Sequence, residues 1–294
     1  MKITNLYNLP ETFVNAVRND PYSKGDADYS VTELIAPVRQ VLLKHRHWDE
    51  IEEDVSERMW SLLGQALHHI LDRAGNDNAL REERIAMTVL GRKISGAADL
   101  YADRKISDYK VTSAWTAVFG SRKGGWEQQL NLYTLLFESM EFGVDELEVV
   151  CLYRDWSATN AKRDPEHYPQ RMVGVVPLKL WPMDERRSLV AERLGALIAA
   201  EPIPDSALPF CTAEEMWEKP STWAAMKNGR KSAVRVCETE AQAQAYVTGG
   251  QATHVELRPG ERTRCERYCL VSKFCNQYAA YLATKPSAER EDGQ

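Results

Sequence analysis

Asp108 and Lys110 stand two residues apart in 106–112, a run that reads as a β-strand, and Asp99 ends the preceding Gly96-Ala97-Ala98-Asp99. This pattern constrains the chain more than any other. Residues 84–90 read as one strand and 93–101 as a second extended stretch. Ala102-Asp103-Arg104-Lys105 is a polar turn into the third. Side chains alternate along a strand, so Asp108 and Lys110 share a face. Tyr109 points the other way and leaves its carbonyl beside them, and Asp99 arrives from the neighbouring strand. Two carboxylates and a lysine so placed can hold magnesium or manganese against a phosphate, with the lysine orienting or helping to deprotonate a water. Taken alone, Asp-x-Lys reads as an exposed ion pair on a surface hairpin, because short motifs recur by chance.

The surrounding residues decide. Gly64-Gln65-Ala66-Leu67-His68-His69 lies in a helical pattern with apolar Trp60, Leu63, Leu67, Ile70 and Leu71, so one of the two histidines can face the sheet. Glu82 and Glu83 open the first strand. A carboxylate there could be a ligand, but a solvated strand end is the simpler reading. Gln129 and Tyr133 fall at i and i+4 on one helix face.

Together these residues resemble the RecB-like branch of the PD-(D/E)XK nuclease superfamily, which shows Gly-x-x-x-His, Gly-x-x-Asp, Asp-x-Lys and Gln-x-x-x-Tyr in that order. Here these are Gly64 with His68, Gly96 with Asp99, Asp108 with Lys110, and Gln129 with Tyr133. The resemblance covers roughly residues 30–155. It implies an α/β, restriction-endonuclease-like core, a mixed central sheet flanked by helices, with a helical N-terminal part. It also implies that His68, Asp99, Asp108 and the Tyr109 carbonyl hold Mg2+ or Mn2+, that Lys110 is the catalytic lysine, and that Gln129 and Tyr133 position the substrate. The resemblance, not the spacing, selects His68 over His69.

Six cysteines carry a second signal: Cys151, Cys211, Cys237, Cys265, Cys269 and Cys275. A chain of this length without a signal peptide or a disulfide framework reads as cytoplasmic, where clustered thiols point to metal first. Cys265, Cys269 and Cys275 lie in one short stretch, and Cys211 or Cys237 could add a fourth ligand. Such a set suits an iron–sulfur cluster or tetrahedral zinc. Several RecB-like nucleases, among them helicase–nuclease subunits and CRISPR-associated adaptation nucleases, carry a [4Fe-4S] cluster held by one cysteine before the core and three after it. This chain departs from that pattern, since no cysteine precedes Cys151. Cys211, in a Pro209-Phe210-Cys211 turn, is taken as the fourth ligand. Cys237 and Cys151 read as buried small hydrophobes in strands.

With 294 residues, 44% hydrophobic and 27% charged, the chain is an ordinary globular protein with no apolar run of membrane-spanning length. Its net charge of −6 counts mildly against DNA binding and requires any DNA contact to be a local patch. Arg122 and Lys123 are one group, and Lys227, Arg230, Lys231 and Arg235 another, for which a solvated face serves equally well. The loop 111–126 interleaves Trp115, Phe119 and Trp126 with Arg122 and Lys123, which suits single-stranded DNA or a loop folded on its own aromatics. Trp217 and Trp223 are expected to pack the C-terminal lobe.

Ser30 with Glu33 should cap a helix. Further expectations are helices at 125–140 and 188–201 and strands at 146–153 and 172–178. The organisation read from this is a nuclease core over 1–205, a cysteine-cluster lobe over 206–283 and a flexible tail over 284–294. The expected function is a metal-dependent DNA nuclease, most simply an exonuclease in recombination, repair or replication. It would act on DNA with a single-stranded region, with no membrane role, and a recombinase or helicase partner follows by analogy alone. The alternatives are an inactive DNA-binding or structural subunit, and a zinc-stapled phosphodiesterase on a small substrate.

Overall fold

The computed structural model describes residues 1–20, 23–74 and 79–285, so most of the expected tail lies outside the described residues. The chain divides into two compact units. One is built from Met1–Val38 and Glu52–Pro202, the other from Arg39–Ile51 and the chain from Ile203 onward. The second unit thus takes in a helical segment that sequence position alone assigns to the N-terminal part.

In the first unit, β1 (Lys2–Thr4) pairs in parallel with β3 (Glu52–Asp54), and α1 (Glu11–Arg18) buries Val14 and Val17 against Val55. Ser30, in β2 (Tyr29–Ser30), caps α2 (Val31–Leu34) through a reciprocal box with Glu33. That helix is only four residues long, because Pro37 follows it before α3 (Val38–Arg46) begins. Helix α4 (Met59–Ala74) then leads to the hairpin of β4 (Arg84–Val89) and β5 (Arg92–Ala97), with β2 parallel to β5.

The expected stretch 93–101 is two strands. β5 ends at Ala97, Ala98 and Asp99 leave the ladder, and β6 (Leu100–Ala102) begins a second sheet. The order there is β6, β7 (Lys105–Thr112), β8 (Glu146–Tyr153), β9 (Val173–Leu178), with β7 and β8 parallel and the outer pairs antiparallel. Parallel neighbours need a crossover. It is supplied by α5 (Ala114–Phe119) and α6 (Lys123–Ser139). The segment expected as a loop after β7 therefore contains a helix. Ser113 caps it by accepting the Trp115 N–H, and Asp155 accepts from both Ser113 Oγ and the Ala114 N–H at 2.6 Å.

Helix α6 is buried from Gln129 to Phe137, the mark of a central helix. It packs on β4, β5, β7 and β9 and on α8 (Met183–Ala200), which starts five residues earlier than its pattern indicates. Asn131, fully buried, donates to the Lys179 carbonyl at 2.9 Å and accepts the Trp181 N–H at 2.8 Å, tying α6 to the chain between β9 and α8. α7 (Ala158–Arg163) lies between β8 and β9. The fold is thus α/β, a mixed sheet packed by helices, as expected.

In the second unit, β11 (Thr222–Met226) is the centre of a three-stranded antiparallel sheet with β12 (Arg235–Cys237) and β13 (His254–Arg258). Helix α9 (Glu240–Thr248) covers it over a small core of Ala225, Cys237, Ala243 and Ala252. β10 (Glu218–Lys219) pairs with β14 (Glu261–Arg262), followed by α10 (Thr263–Arg267) and α11 (Asn276–Thr284). Trp223 packs against the small core, and Trp217 lies between Tyr268 and the Arg264 guanidinium, so both indoles pack the lobe. Among the described residues no helix is long and apolar enough to cross a membrane.

Candidate metal centres

In the first unit the β7 pleat sets two groups by arithmetic and the fold brings the others to them. Asp108 is 1% exposed, and Lys110 Nζ stands 2.5 Å from its Oδ2. The contact is one of charge, because that buried oxygen has no hydrogen-bond partner of proper geometry among the described residues. Asp99, in the break between β5 and β6, reaches β7 and accepts the Tyr109 N–H on Oδ2 at 2.6 Å. Burial, reinforced by the Asp108 carboxylate, pushes Asp99 up to about 7. Burial alone would lower Lys110, but the Asp108 and Asp99 carboxylates outweigh it and hold the lysine above its ordinary value.

Helix α4 presents His68 to this strand and leaves His69 exposed. His68 Nε2 lies 3.1 Å from the Tyr109 carbonyl oxygen, and Nδ1 lies 3.1 Å from Glu82 Oε1 and 3.5 Å from Asp99 Oδ1. The hydrogen bond to Glu82 raises His68 to about 9, against a burial effect that would lower it. His68, Glu82 and Asp99 place their ligand atoms within 4.8 Å of one another. Glu82 is the residue that sequence reasoning passed over as a solvated strand end. Its left-handed φ of +50° turns it back towards His68, and nothing in the local pattern signals that turn.

Gln129 and Tyr133 come together on α6, with Gln129 Nε2 donating to the Tyr133 hydroxyl at 2.9 Å, and both are buried. The Tyr133 ring explains Gly96, since a Cβ there would fall 2.6 Å from its Cε1 and 2.9 Å from Val31 Cγ2. Gly64, by contrast, faces open space. The expected apolar stripe of α4 forms but is not buried, with Trp60 at 60% and Ile70 at 63% exposure. The Arg154 guanidinium sits 4.5 Å over the Trp60 ring.

In the second unit Cys211, Cys265, Cys269 and Cys275 line one cavity, with Leu43 and Val271 among its walls. Cys237 belongs to the small α9 core, and Cys151 is buried in β8 of the first unit. Burial, with the neighbouring thiols adding to it, pushes Cys211 up to about 12 and Cys265 to about 11, and raises Cys269. Arg39, 2% exposed, points a guanidinium N–H at Cys275 Sγ over 3.8 Å. It also donates to Asn276 Oδ1 at 2.6 Å and to the Pro209 and Leu208 carbonyls.

Both donor sets suit a metal. Two buried carboxylates beside an imidazole and a carbonyl form an oxygen-rich site suited to a hard divalent cation. Four thiols in one cavity suit iron–sulfur or zinc.

No family model matches the chain, and no curated protein matches it. Among solved structures it is similar to the crystal structure of SSO0001, with a TM-score of 0.45 and 20% identity over 65% of this chain and 85% of that one. It is also similar to an alkaline exonuclease (LHK-Exo) from Laribacter hongkongensis, with a TM-score of 0.33 and 11% identity over 58% of this chain and 87% of that one. Likenesses this distant carry no residue roles, so the function is argued from the sites.

Proposed function

We propose that the chain is a divalent-metal-dependent deoxyribonuclease of the RecB-like branch, an exonuclease, with a four-thiolate metal group in its second unit. The observation that carries this is the convergence of Asp99, Asp108, Lys110, His68 and the Tyr109 carbonyl, with the buried Asp108 Oδ2 in charge contact with Lys110. His68, Asp99, Asp108 and the Tyr109 carbonyl would hold Mg2+ or Mn2+, and Glu82, on the same His68 nitrogen as Asp99, could add a carboxylate to the set. The ion, when bound, supplies Lewis acidity against the phosphate and makes a water easier to ionise.

The remaining chemistry belongs to the chain. Lys110, held charged by its two carboxylates, offers a donor to orient the attacking water and a positive charge to offset that of the phosphate. Asp99 fixes the Tyr109 peptide through its N–H and so aims the carbonyl on the other side of that residue. Gln129 and Tyr133 stiffen the α6 wall behind Gly96 and position substrate through that wall. A preference for DNA with a single-stranded region draws on Trp115 and Phe119 in α5, 43% and 73% exposed, as stacking surfaces directly after β7. Cys211, Cys265, Cys269 and Cys275 would hold a [4Fe-4S] cluster or zinc as a structural staple. A cytoplasmic site of action and a recombinase or helicase partner rest on the resemblance alone.

Digestion of end-labelled single- and double-stranded DNA with magnesium or manganese tests the reading. Wild type should degrade DNA only with metal, and Lys110→Ala should lower the rate by on the order of 100- to 1,000-fold. Intact DNA with folded, metal-loaded wild type would replace the nuclease by an inactive DNA-binding subunit.

A further inference from the structure

Four cations on one hairpin of the second unit are left without partners. Lys227, Arg230, Lys231 and Arg235 fall within nine consecutive residues that contain no carboxylate, in a chain of net charge −6. All four are exposed, and among the described residues none forms an ion pair or a side-chain hydrogen bond. Other cations of the same unit are treated differently. Lys219 pairs with Glu261 at 3.1 Å, Lys285 with Glu266 at 2.8 Å and Arg46 with Asp205 at 2.6 Å.

The hairpin is also pre-shaped. The Arg230 N–H closes a tight turn on the Lys227 carbonyl at 3.0 Å, and Gly229 takes the left-handed φ of +83° that this turn requires. Thr253, just before β13, locks the turn from outside. Its N–H donates to the Met226 carbonyl at 2.6 Å, its hydroxyl accepts the Asn228 N–H at 3.0 Å, and it donates to Asn228 Oδ1 at 3.1 Å. Lys227 and Arg230 therefore flank one fixed turn, with Lys231 following. Arg235 extends the row into β12, opposite Ala225.

We propose that this β11–β12 hairpin is a DNA-binding element that grips the phosphate backbone without reading sequence. Phosphates ask only for cations and small polar donors at fixed spacing. The loop 227–233 supplies these and carries no side chain more apolar than Ala233. A protein partner would want an aromatic or aliphatic anchor at the centre of the patch, which this loop lacks. An acidic chain needs such a local concentration of charge, since its overall field repels nucleic acid. The proposal rests on the nuclease reading only in taking DNA as the macromolecule bound.

The test measures binding of the full-length, metal-loaded chain to a short DNA duplex with a single-stranded overhang across a salt series, in a Lys110→Ala background so that binding is read without cutting. Replacing all four cations by alanine should weaken binding at least about tenfold and flatten the dependence of log K on log salt by about 3 to 4, roughly 0.9 per phosphate contact. Arg230→Lys with Arg235→Lys, which keeps the charge, should leave the slope unchanged. Circular dichroism and metal content report that each variant is folded. An unchanged slope and affinity in the alanine variant overturns the proposal, as does a folded Lys110→Ala chain with the hairpin intact that binds no DNA. Cutting by wild type is scored separately. Hairpin-dependent binding without any cutting would sink the nuclease reading alone, and cutting with hairpin-independent binding would sink this proposal alone.

Discussion

The carboxylate centre of the first unit and the thiol cavity of the second answer the same problem with different supports. Each gathers acids raised first by burial and then by neighbouring acidic groups, Asp99 to about 7 and Cys211 to about 12. The carboxylates stand on a unit with its own large core, where α6 is buried along nine residues and Leu34, Ile94, Ile106 and Leu194 are sealed. The core that α9 closes over the sheet of the second unit is built of the small side chains Ala225, Cys237, Ala243 and Ala252, with Trp223, Val234, Tyr246, Val247 and Val255 partly buried around them. On the proposed reading a metal would be an addition to the first unit and a part of the scaffold in the second. Small cores lean on staples.

The largest effect expected from this contrast is at the thiols. Cys265→Ala should abolish metal loading of the second unit and unfold it, removing metal-linked folding free energy on the order of 10 kcal/mol. Cys237→Ala should retain the metal and lose only packing. Elemental analysis with thermal denaturation reads both, and equal metal loss in the two variants would break the comparison. Arg39→Met comes next. It strips partners from Asn276 and from the Pro209 and Leu208 carbonyls, and should destabilise the second unit by about 2–4 kcal/mol in denaturant titration. Gly96→Ala acts on the first unit through the Tyr133 ring, 2.6 Å from the new Cβ, and should destabilise it by about 1–3 kcal/mol.

The smallest effect is the contrasting response of the two units to pH. The Leu6 N–H, with Ser56 and Thr4, holds Asp54 down at about 2 from its usual 3.8. Its contribution to the first unit is present above pH 3.8 and lost as pH falls towards 2. In the second unit Asp205 and then Glu50, both at 2.7 Å, raise His47 above its usual 6.5. That contribution is full below pH 6.5 and lost as pH rises through the raised value. Asp54→Asn should flatten the acid limb of a melting-temperature profile and His47→Gln the neutral-to-alkaline limb. A swap of limbs would refute the assignment.

Regular elements were legible where the pattern was strong. Residues 146–153 are a strand and 106–112 lie in one, because each shows alternation between clear turns. The break at Ala98-Asp99 was not legible, since Leu100 and Tyr101 resume a strand-like pattern directly after it and only the change of sheet at β6 exposes it. Helix α5 was hidden among aromatics and glycines, and its cap depends on Asp155, some forty residues further on. That the α4 stripe stays exposed was not legible, because periodicity reports that a stripe exists, not whether anything covers it.

By itself, the sequence determined that Asp108 and Lys110 share a face and that Cys265, Cys269 and Cys275 lie close together. Strand pleat and short chain separation leave little freedom in either case. Only the tertiary structure decided the rest. It turned His68 rather than His69 to β7, folded Glu82 back onto it, and set Cys211 rather than Cys237 in the thiol cavity beside a buried Arg39. These contacts join residues 14 to more than 200 positions apart, and such meetings are settled by how elements pack, which no local spacing encodes.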